Sequence, residues 1–254
     1  MQVIVLGSGT CALTARRACA SYAVRIAGDL VLLDAGSGAL RRMSEAALDY
    51  RDIDAVVCSH THPDHVADLA PLLMALRYTP GYRRSKPLTL VGPAGFRDFH
   101  RALAGAYGEK TLAADGYPMS IVELENRTMT IGEWSLTGRS MEHSRCCNGY
   151  RFEHRGRVLA YSGDTGPCDA VVEIGRAADL MLMECSFPDE SPVEGHLTPS
   201  WAGRLAARAG CVKLVLTHLY PHMDDIDMRA QCRVHFSGDV EVAEDLAQFR
   251  LEDK

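Results

Sequence analysis

The chain of 254 residues is 47% hydrophobic and 24% charged, which are ordinary values for a soluble globular protein and exclude disordered and fibrous classes. Acidic residues number 33 against 27 basic ones, so the net charge of −6 repels polyanions and any nucleic-acid contact is expected to be local. No apolar run approaches the roughly 18 to 20 residues of a membrane span, and the first residues lack the basic start of a signal peptide. We therefore expect a cytoplasmic protein with no membrane partner.

Linker composition and cysteine spacing both indicate one domain with reduced thiols. The chain has no internal repeat, no low-complexity tract and no Ser/Pro linker, so a single domain over residues 1–254 is expected. The nine cysteines form no Cys-x-x-Cys pair, and their odd number does not suit a disulfide framework.

Short aliphatic runs alternate with helical patterns along the chain. The runs predict buried strands at residues 3–6, 30–33, 54–57, 88–91, 158–161, 180–183 and 213–216. Helices are predicted at residues 68–77, 96–107 and 200–209. The last of these has Thr198 as its cap, Pro199 in its first position and Gly210 at its end. This alternation is typical of a layered α/β protein.

Polar side chains that can bind metal stand where several predicted strands end. Asp34, His60, Asp164, Glu184 and His218 each follow a predicted strand within three residues. Because α/β proteins generally build their sites at the carboxyl ends of strands, we expect these side chains to share one face of the molecule.

The densest chemical signal is the segment SHTHPDH at residues 59–65, which holds His60, His62, Asp64 and His65. Neighbouring imidazoles compete for protons and lose solvation unless something binds them, so the spacing indicates a metal site rather than a solvated loop. Four ligands from so short a loop are cramped around one ion. Two adjacent ions that share a bridging ligand relieve this crowding.

A site for two ions needs further ligands from elsewhere in the chain. Asp164 and His218 follow strands directly, and His143 precedes the strand that leads to Asp164, so these three are the natural candidates. A carboxylate such as Asp164 can bridge two cations, whereas an imidazole binds one. This ligand chemistry suits two divalent ions, with zinc preferred and manganese or iron as alternatives.

These motifs resemble the metallo-β-lactamase-fold superfamily over nearly the whole chain, and within it the ribonuclease Z group. The superfamily resemblance rests on the H-x-H-x-D-H string, His143, SGDT at residues 162–165 and LTH at residues 216–218. The ribonuclease Z group is further matched by Glu184 after a strand and by GSGT, LDAG, GPAG and GHLT, which begin at residues 7, 33, 92 and 195.

The resemblance implies a fold and a set of residue roles. The fold is a four-layer αββα sandwich of two mixed β-sheets flanked by helices, in which residues 238–249 add an edge strand and a helix. One metal is held by His60, His62 and His143, the other by Asp64, His65 and His218, and Asp164 bridges them. His196 acts as proton donor with Glu184 orienting its other nitrogen, and Asp64 also counts among the catalytic residues. The resemblance further implies a homodimer.

The expected activity is a ribonuclease Z-like phosphodiesterase or endonuclease, in which a metal-bridging hydroxide cleaves RNA or a small phosphodiester. Only twenty residues separate His143 from Asp164, too few for the tRNA-gripping arm that this group often carries there. Met183 and Cys185 flank Glu184 where His and Ala are usual. These departures argue against a tRNA precursor as the substrate.

Other activities stay open at this stage. The same hydroxide could hydrolyse a thioester, lactone or amide, because the metal site alone does not distinguish phosphorus from carbonyl electrophiles. An oxygen-reducing di-iron role is disfavoured because the chain has no flavin-binding domain, and a non-enzymatic role is disfavoured because every expected ligand is present.

Four weaker signals remain. Asp34 is expected to support the site through a hydrogen bond to a ligand histidine or to a loop amide. The basic and aromatic stretch at residues 77–86 is either a phosphate contact or a solvated loop. Cys146 and Cys147 are expected to be buried packing residues rather than soft ligands, and His222 is expected at a helix entry rather than in the site.

Overall fold

The computed structural model describes residues 1–252, which form fourteen strands and eight α-helices. The strands are β1 (Gln2–Gly7), β2 (Ser21–Ile26), β3 (Asp29–Ala35), β4 (Ile53–Val57), β5 (Leu88–Gly92), β6 (Met119–Glu123), β7 (Thr128–Ile131), β8 (Trp134–Ser140), β9 (Asn148–His154), β10 (Arg157–Tyr161), β11 (Leu180–Glu184), β12 (Lys213–Thr217), β13 (Asp239–Val242) and β14 (Gln248–Arg250). The helices are α1 (Ala39–Glu45), α2 (Pro63–Val66), α3 (Leu69–Tyr78), α4 (Phe96–Tyr107), α5 (Glu109–Leu112), α6 (Asp169–Gly175), α7 (Pro199–Ala209) and α8 (Met228–Arg233). Two 3₁₀ turns cover Tyr50–Asp52 and Pro221–Asp225.

The strands form two mixed sheets of seven strands each. The first sheet has the order β14-β1-β2-β3-β4-β5-β6, and the second has the order β13-β12-β11-β10-β9-β8-β7. Strands β3 to β6 run parallel to one another, and so do β10 to β13. The carboxyl ends of parallel strands meet at one edge of a sheet, so each sheet gathers several strand ends in one place.

Alternation along the strands explains how the sheets pack. In β1, Val3 and Val5 point into the core between the two sheets, whereas Ile4 and Leu6 point outward against helices. This is the two-residue period of a strand that is buried on both faces. The second sheet repeats the pattern: Leu182 in β11 faces the central core, and Met181 and Met183 face the outer helices.

Helices cover the outer face of each sheet. Buried side chains of α1, α3 and α4 pack on the first sheet, and those of α6, α7 and α8 pack on the second. The result is the four-layer αββα sandwich, which confirms the predicted fold class. The single domain over residues 1–254 stays a prediction.

All the predicted strands and helices form, with ends shifted by one or two residues, but one detail of the prediction is wrong. Residues 238–249 contain two edge strands, β13 and β14, and no helix. The Asp245 carboxylate accepts hydrogen bonds from the backbone N–H groups of Ser8 and Ala18, which holds the connecting segment as a loop. Thr198 occupies the N-cap position of α7, as predicted, but its side chain makes no capping hydrogen bond. The Asp189 carboxylate accepts a hydrogen bond from the backbone N–H of Ser200 at the start of this helix.

Among residues 1–252, no helix is long and apolar enough to cross a membrane. All nine cysteines are free thiols.

Candidate metal centre

The loop of residues 59–65, which we call the ligand loop, brings four candidate ligands to one edge of the sandwich. It begins just beyond the end of β4 at Val57, and Pro63 starts α2 with His62 in an extended capping position. Proline in the first helical turn fixes this change of direction. His60 and His65 consequently lie buried side by side, with ring centroids 4.1 Å apart.

The second sheet supplies the other candidate ligands. His143 follows β8, Asp164 follows β10 and His218 follows β12. The Nε2 atom of His143 lies 3.3 Å from Nδ1 of His62, and Nε2 of His218 lies 3.2 Å from Nε2 of His65. Three strand ends of one sheet therefore meet the ligand loop of the other.

The converging side chains fall into two main groups with the spacing of metal ligands, and His196 joins Asp164 and His218 in a third. Within each group all ligand atoms lie within 4.8 Å of one another. One group is His60, His62, His143 and Asp164, and the other is Asp64, His65 and His218. The Oδ2 atom of Asp164 lies 3.8 Å from Nε2 of His60 and 3.4 Å from Nε2 of His218, so this carboxylate stands between the groups. All seven predicted ligands are thus brought together.

The unpaired polar atoms of this cluster fit a divalent cation. Asp164 is only 3% exposed, and its Oδ1 atom makes no well-formed hydrogen bond among the described residues; Nε2 of His65, itself a candidate ligand, lies 3.4 Å from it. Burial lowers the pKa of His60 well below its usual value, so its ring is neutral and offers a lone pair. A buried carboxylate oxygen without a donor is costly unless a cation satisfies it. Histidine and aspartate donors are the ligands that zinc, manganese and iron accept.

Asp34 supports the cluster through hydrogen bonds to a ligand histidine and to a loop amide, as the sequence predicted. Its Oδ2 atom lies 2.8 Å from Nδ1 of His65 and accepts a hydrogen bond from the Tyr161 hydroxyl at 2.7 Å. Its Oδ1 atom accepts the backbone N–H of Ser59 at 2.6 Å. A carboxylate on Nδ1 fixes the ring orientation and turns Nε2 toward the cluster.

Two residues of the centre have left-handed backbone. Asp34 has φ 53° and His218 has φ 55°, a region that non-glycine residues rarely adopt. Both stand directly at a strand end, where this conformation turns the side chain toward the cluster. Strained backbone of this kind concentrates at functional sites.

His196 and Glu184 form a hydrogen-bonded pair beside the cluster. Nδ1 of His196 lies 3.0 Å from Oε1 of Glu184. Glu184 is fully buried and also accepts hydrogen bonds from the Thr165 N–H at 2.6 Å and the Ser186 hydroxyl at 2.7 Å. Burial opposes the charged form of His196, but the bond to Glu184 and its charge outweigh burial and raise the pKa of His196. A ring nitrogen of His196 lies within 4.8 Å of ligand atoms of Asp164 and His218.

Sequence reasoning missed several residues around this centre. Tyr161 donates to Asp34 across a sequence separation of 127, and Ser186 donates to Glu184 from two residues away; neither carries a motif of its own. Arg145 is exposed two residues after His143, and it lines a cavity of about 420 Å³ that also reaches His143. Its position next to a candidate ligand was the available signal.

The weaker sequence signals have mixed outcomes. Cys147 is buried as predicted, whereas Cys146 is exposed and the packing role predicted for it is wrong. In the basic stretch, Arg84 is buried and bonded to backbone carbonyls, so it is neither a phosphate contact nor part of a solvated loop. His222 lies in a 3₁₀ turn, with its ring 5.9 Å from that of Tyr220.

The αββα sandwich and its His/Asp cluster at the strand ends define a class of metal-dependent hydrolases. Residues 30–219 match the family model of the beta-lactamase superfamily domain, and the chain belongs to this superfamily. The resemblance inferred from the motifs is confirmed, and the chain is a metal-dependent hydrolase.

Particular relatives cover most of the chain. A protein named ribonuclease Z from Methanosarcina acetivorans is 28% identical, with 99% of this chain and 98% of that protein covered. An uncharacterised protein of Mycobacterium tuberculosis is 33% identical, with 80% of this chain and 73% of that protein covered. The crystal structure of YhfI from Bacillus subtilis, a metallo-beta-lactamase fold protein, superposes with a TM-score of 0.84 at 25% identity and covers 98% of both chains.

Proposed function

We propose that this hydrolase is a dinuclear, ribonuclease Z-like phosphodiesterase that cleaves an RNA or a small phosphodiester. The observation that carries the proposal is the position of Asp164 between two groups of ligand atoms, with the His196–Glu184 pair alongside. The relative named ribonuclease Z matches over nearly its whole length, which supports a nuclease type of activity.

His60, His62 and His143 would hold one divalent ion, Asp64, His65 and His218 the other, and Asp164 both. Zinc is the metal we expect, with manganese or iron as alternatives of similar ligand preference. When bound, two such ions supply an activated water and stabilise the charge that develops on the phosphoryl oxygens. Asp64 has the most exposed carboxylate of the set, with an 11% exposed side chain, and would also orient the attacking water by accepting a hydrogen bond.

His196 would protonate the leaving oxygen. Its Nδ1 faces the buried Glu184 carboxylate, so the opposite nitrogen, Nε2, is the one available to substrate. Glu184 stabilises the protonated ring and fixes its orientation, and the raised pKa of His196 keeps the acid form populated at higher pH. An alkoxide leaving group needs this proton more than a thiolate does, which favours a phosphodiester over a thioester.

The acidic net charge and the absence of room for a large arm favour a small or locally held substrate. Only twenty residues lie between His143 and Asp164. With a net charge of −6, long-range attraction of a polyanion is not expected. Hydrolysis of a thioester, lactone or amide is the second candidate, because the same ligand set supports it. We also propose a single domain and a homodimer, on the family resemblance alone.

A panel of substrates tests the proposal. The purified protein is assayed for metal content by elemental analysis and then with a generic phosphodiester, a thioester, a lactone and a tRNA precursor. Two ions per chain and turnover of the phosphodiester are expected. Asp98→Asn, on the exposed face of α4, is the matched control and should behave as wild type. Turnover of the carbonyl substrates alone would replace this proposal with the second candidate.

A further inference from the structure

A group of three rings borders the metal centre on the side of His196. We call Phe187, Tyr220 and His222 the aromatic rim. Phe187 comes three residues after the end of β11. Tyr220 and His222 come three and five residues after the end of β12. The two strand ends that carry Glu184 and His218 therefore also present the rim.

The rings of the rim contact one another and reach His196. The Phe187 ring centroid lies 5.4 Å from that of His196 and 5.1 Å from that of Tyr220. Tyr220 and His222 stack at 5.9 Å with an interplanar angle of 19°. These separations are within the usual range of aromatic pairs, so the rings support one another in a fixed arrangement.

The rim keeps part of its surface open to solvent. Phe187 and Tyr220 are partly exposed, and His222 is exposed. Phe187 belongs to none of the three hydrophobic cores formed by residues 1–252. An aromatic ring left half-exposed at the edge of a polar site contributes little to folding, but it offers a flat apolar face to a ligand.

The acidic side chain that follows the rim in the chain is paired with two arginines. Asp224 is two residues beyond His222, and its carboxylate pairs with Arg16 at 3.2 Å and Arg17 at 2.8 Å. The Tyr220 hydroxyl lies 3.6 Å from the Cys11 sulfur. The rim therefore presents ring faces, and the Asp224 carboxylate that follows it in the chain is paired with two arginines.

We propose that the aromatic rim binds a nucleobase by stacking, which makes the substrate a nucleoside phosphodiester with a nucleoside on the leaving-oxygen side of the scissile phosphate. The side is assigned because Phe187 contacts His196, the residue that would protonate the leaving oxygen. This inference rests on the proposed phosphodiesterase function and adds the substrate class. Stacking accepts any base, because every base has a π face, so weak base preference is expected.

Kinetics with base-deleted substrates test the assignment of the side. The metal-loaded protein is assayed with a dinucleotide and with two abasic analogues, one lacking the base on the leaving side and one lacking the other base. Phe187→Leu and Tyr220→Leu should each raise KM for the dinucleotide about tenfold and leave KM unchanged for the analogue without the leaving-side base. Tyr220→Phe keeps the ring and should keep the wild-type KM. Tyr107→Leu, at an exposed ring of α4, is the control.

Binding without turnover separates this inference from the proposed function. Calorimetry on the same protein should show adenosine 5′-monophosphate binding about tenfold tighter than ribose 5-phosphate, and Tyr220→Leu should abolish the difference. Equal affinity for the nucleotide and for ribose 5-phosphate, including no measurable binding of either, overturns the rim proposal. An equal rise in KM of the leucine variants for the dinucleotide and for both abasic analogues also overturns it. A preference for the nucleotide without hydrolysis of any phosphodiester would sustain the rim and refute the phosphodiesterase. If either leucine variant fails to fold, the wild-type affinity ratio decides.

Discussion

One buried charged side chain lies near each end of β4, and the two differ in how their polar atoms are satisfied by hydrogen bonds. At the Ile53 end, Arg84 is 2% exposed, and its guanidinium donates to backbone carbonyl oxygens at 2.6 to 3.1 Å. These oxygens belong to Arg51, Ile53, Lys86 and Pro87. At the other end, beyond Val57, the buried Oδ1 of Asp164 makes no well-formed hydrogen bond in the described chain, and the ring nitrogen 3.4 Å from it belongs to His65, a candidate metal ligand.

This contrast distinguishes a structural charge from a binding charge. A buried polar group loses hydration, and the protein must replace every lost hydrogen bond to avoid the cost. Around Arg84 the chain replaces them with its own carbonyls, so the residue stabilises the fold. Around Asp164 the replacement has to come from a bound species. A count of basic residues along the sequence cannot distinguish these cases, because it does not show where the hydrogen bonds go.

Removing the Asp164 carboxylate should have the largest effect on turnover and on metal content. We expect Asp164→Ala to lower turnover by about 10³-fold or more, since a shared ligand matters more than the outer-shell partners, whose loss typically costs 10–100-fold. Metal content by elemental analysis should fall together with activity. A variant that keeps two ions and full turnover would sink the assignment of Asp164 as a bridge.

Removing the satisfied group should change stability and leave the site intact. Arg84→Met keeps the apolar stem but strips donors from four carbonyls, and we expect the free energy of unfolding to fall by about 3 kcal/mol. Urea denaturation measures this, and metal content of the folded protein should match wild type. Arg101→Met, which removes an exposed pair with Asp98, is the control and should cost less than about 0.5 kcal/mol. Loss of metal in Arg84→Met would break the contrast.

The parts of the molecule that follow local rules were accessible from sequence. The ligand loop is a contiguous motif, and most of the parallel strands are short aliphatic runs, so both carry a local signal. Strands β2 and β6 to β9 were not predicted, and β8 shows why: its sequence WSLTGRS mixes apolar and polar residues. Its Trp134 is buried with Nε1 donating to Asp29, 105 residues away. Only tertiary pairing selects such a strand.

The same limit applies to the site. His196 and Glu184 were found because a histidine before a helix and an acid after a strand are local features. Tyr161, which donates to Asp34 from the other sheet, has no such feature, since 127 residues separate the two. Burial of Arg84 depends in part on the carbonyls of Arg51 and Ile53, which lie 33 and 31 positions away in the sequence.

Truncating the proposed proton donor should slow catalysis and leave the metal in place. His196→Ala is expected to lower kcat by about 10²-fold while metal content stays at the wild-type level. Glu184→Gln keeps the size of the side chain but removes its charge, so the His196 pKa should fall and the alkaline limb of kcat should move to lower pH. Equal loss of metal and turnover in His196→Ala would make it a ligand rather than a donor.

The smallest predicted effect concerns a carboxylate whose partners lie in the chain. Asp189 accepts hydrogen bonds from the backbone N–H and the hydroxyl of Ser200, which satisfies the start of α7. Burial opposes its charge, but the bonds from Ser200 outweigh burial and lower the pKa of Asp189. Asp189→Ala should therefore reduce the free energy of unfolding by about 1 kcal/mol at pH 7, as for a lost helix cap.

The pH dependence of this loss follows from the direction of the shift. A carboxyl with a lowered folded-state pKa contributes all its stability above the unfolded value of about 3.9, and the contribution is lost as the pH falls through the folded value. The difference between wild type and Asp189→Ala, measured by urea denaturation of metal-free protein, should shrink below about pH 4. Glu190→Ala, at the exposed neighbour, should show no such difference. If the difference in free energy of unfolding between wild type and Asp189→Ala persists at low pH, Asp189 acts through packing and not through its charge.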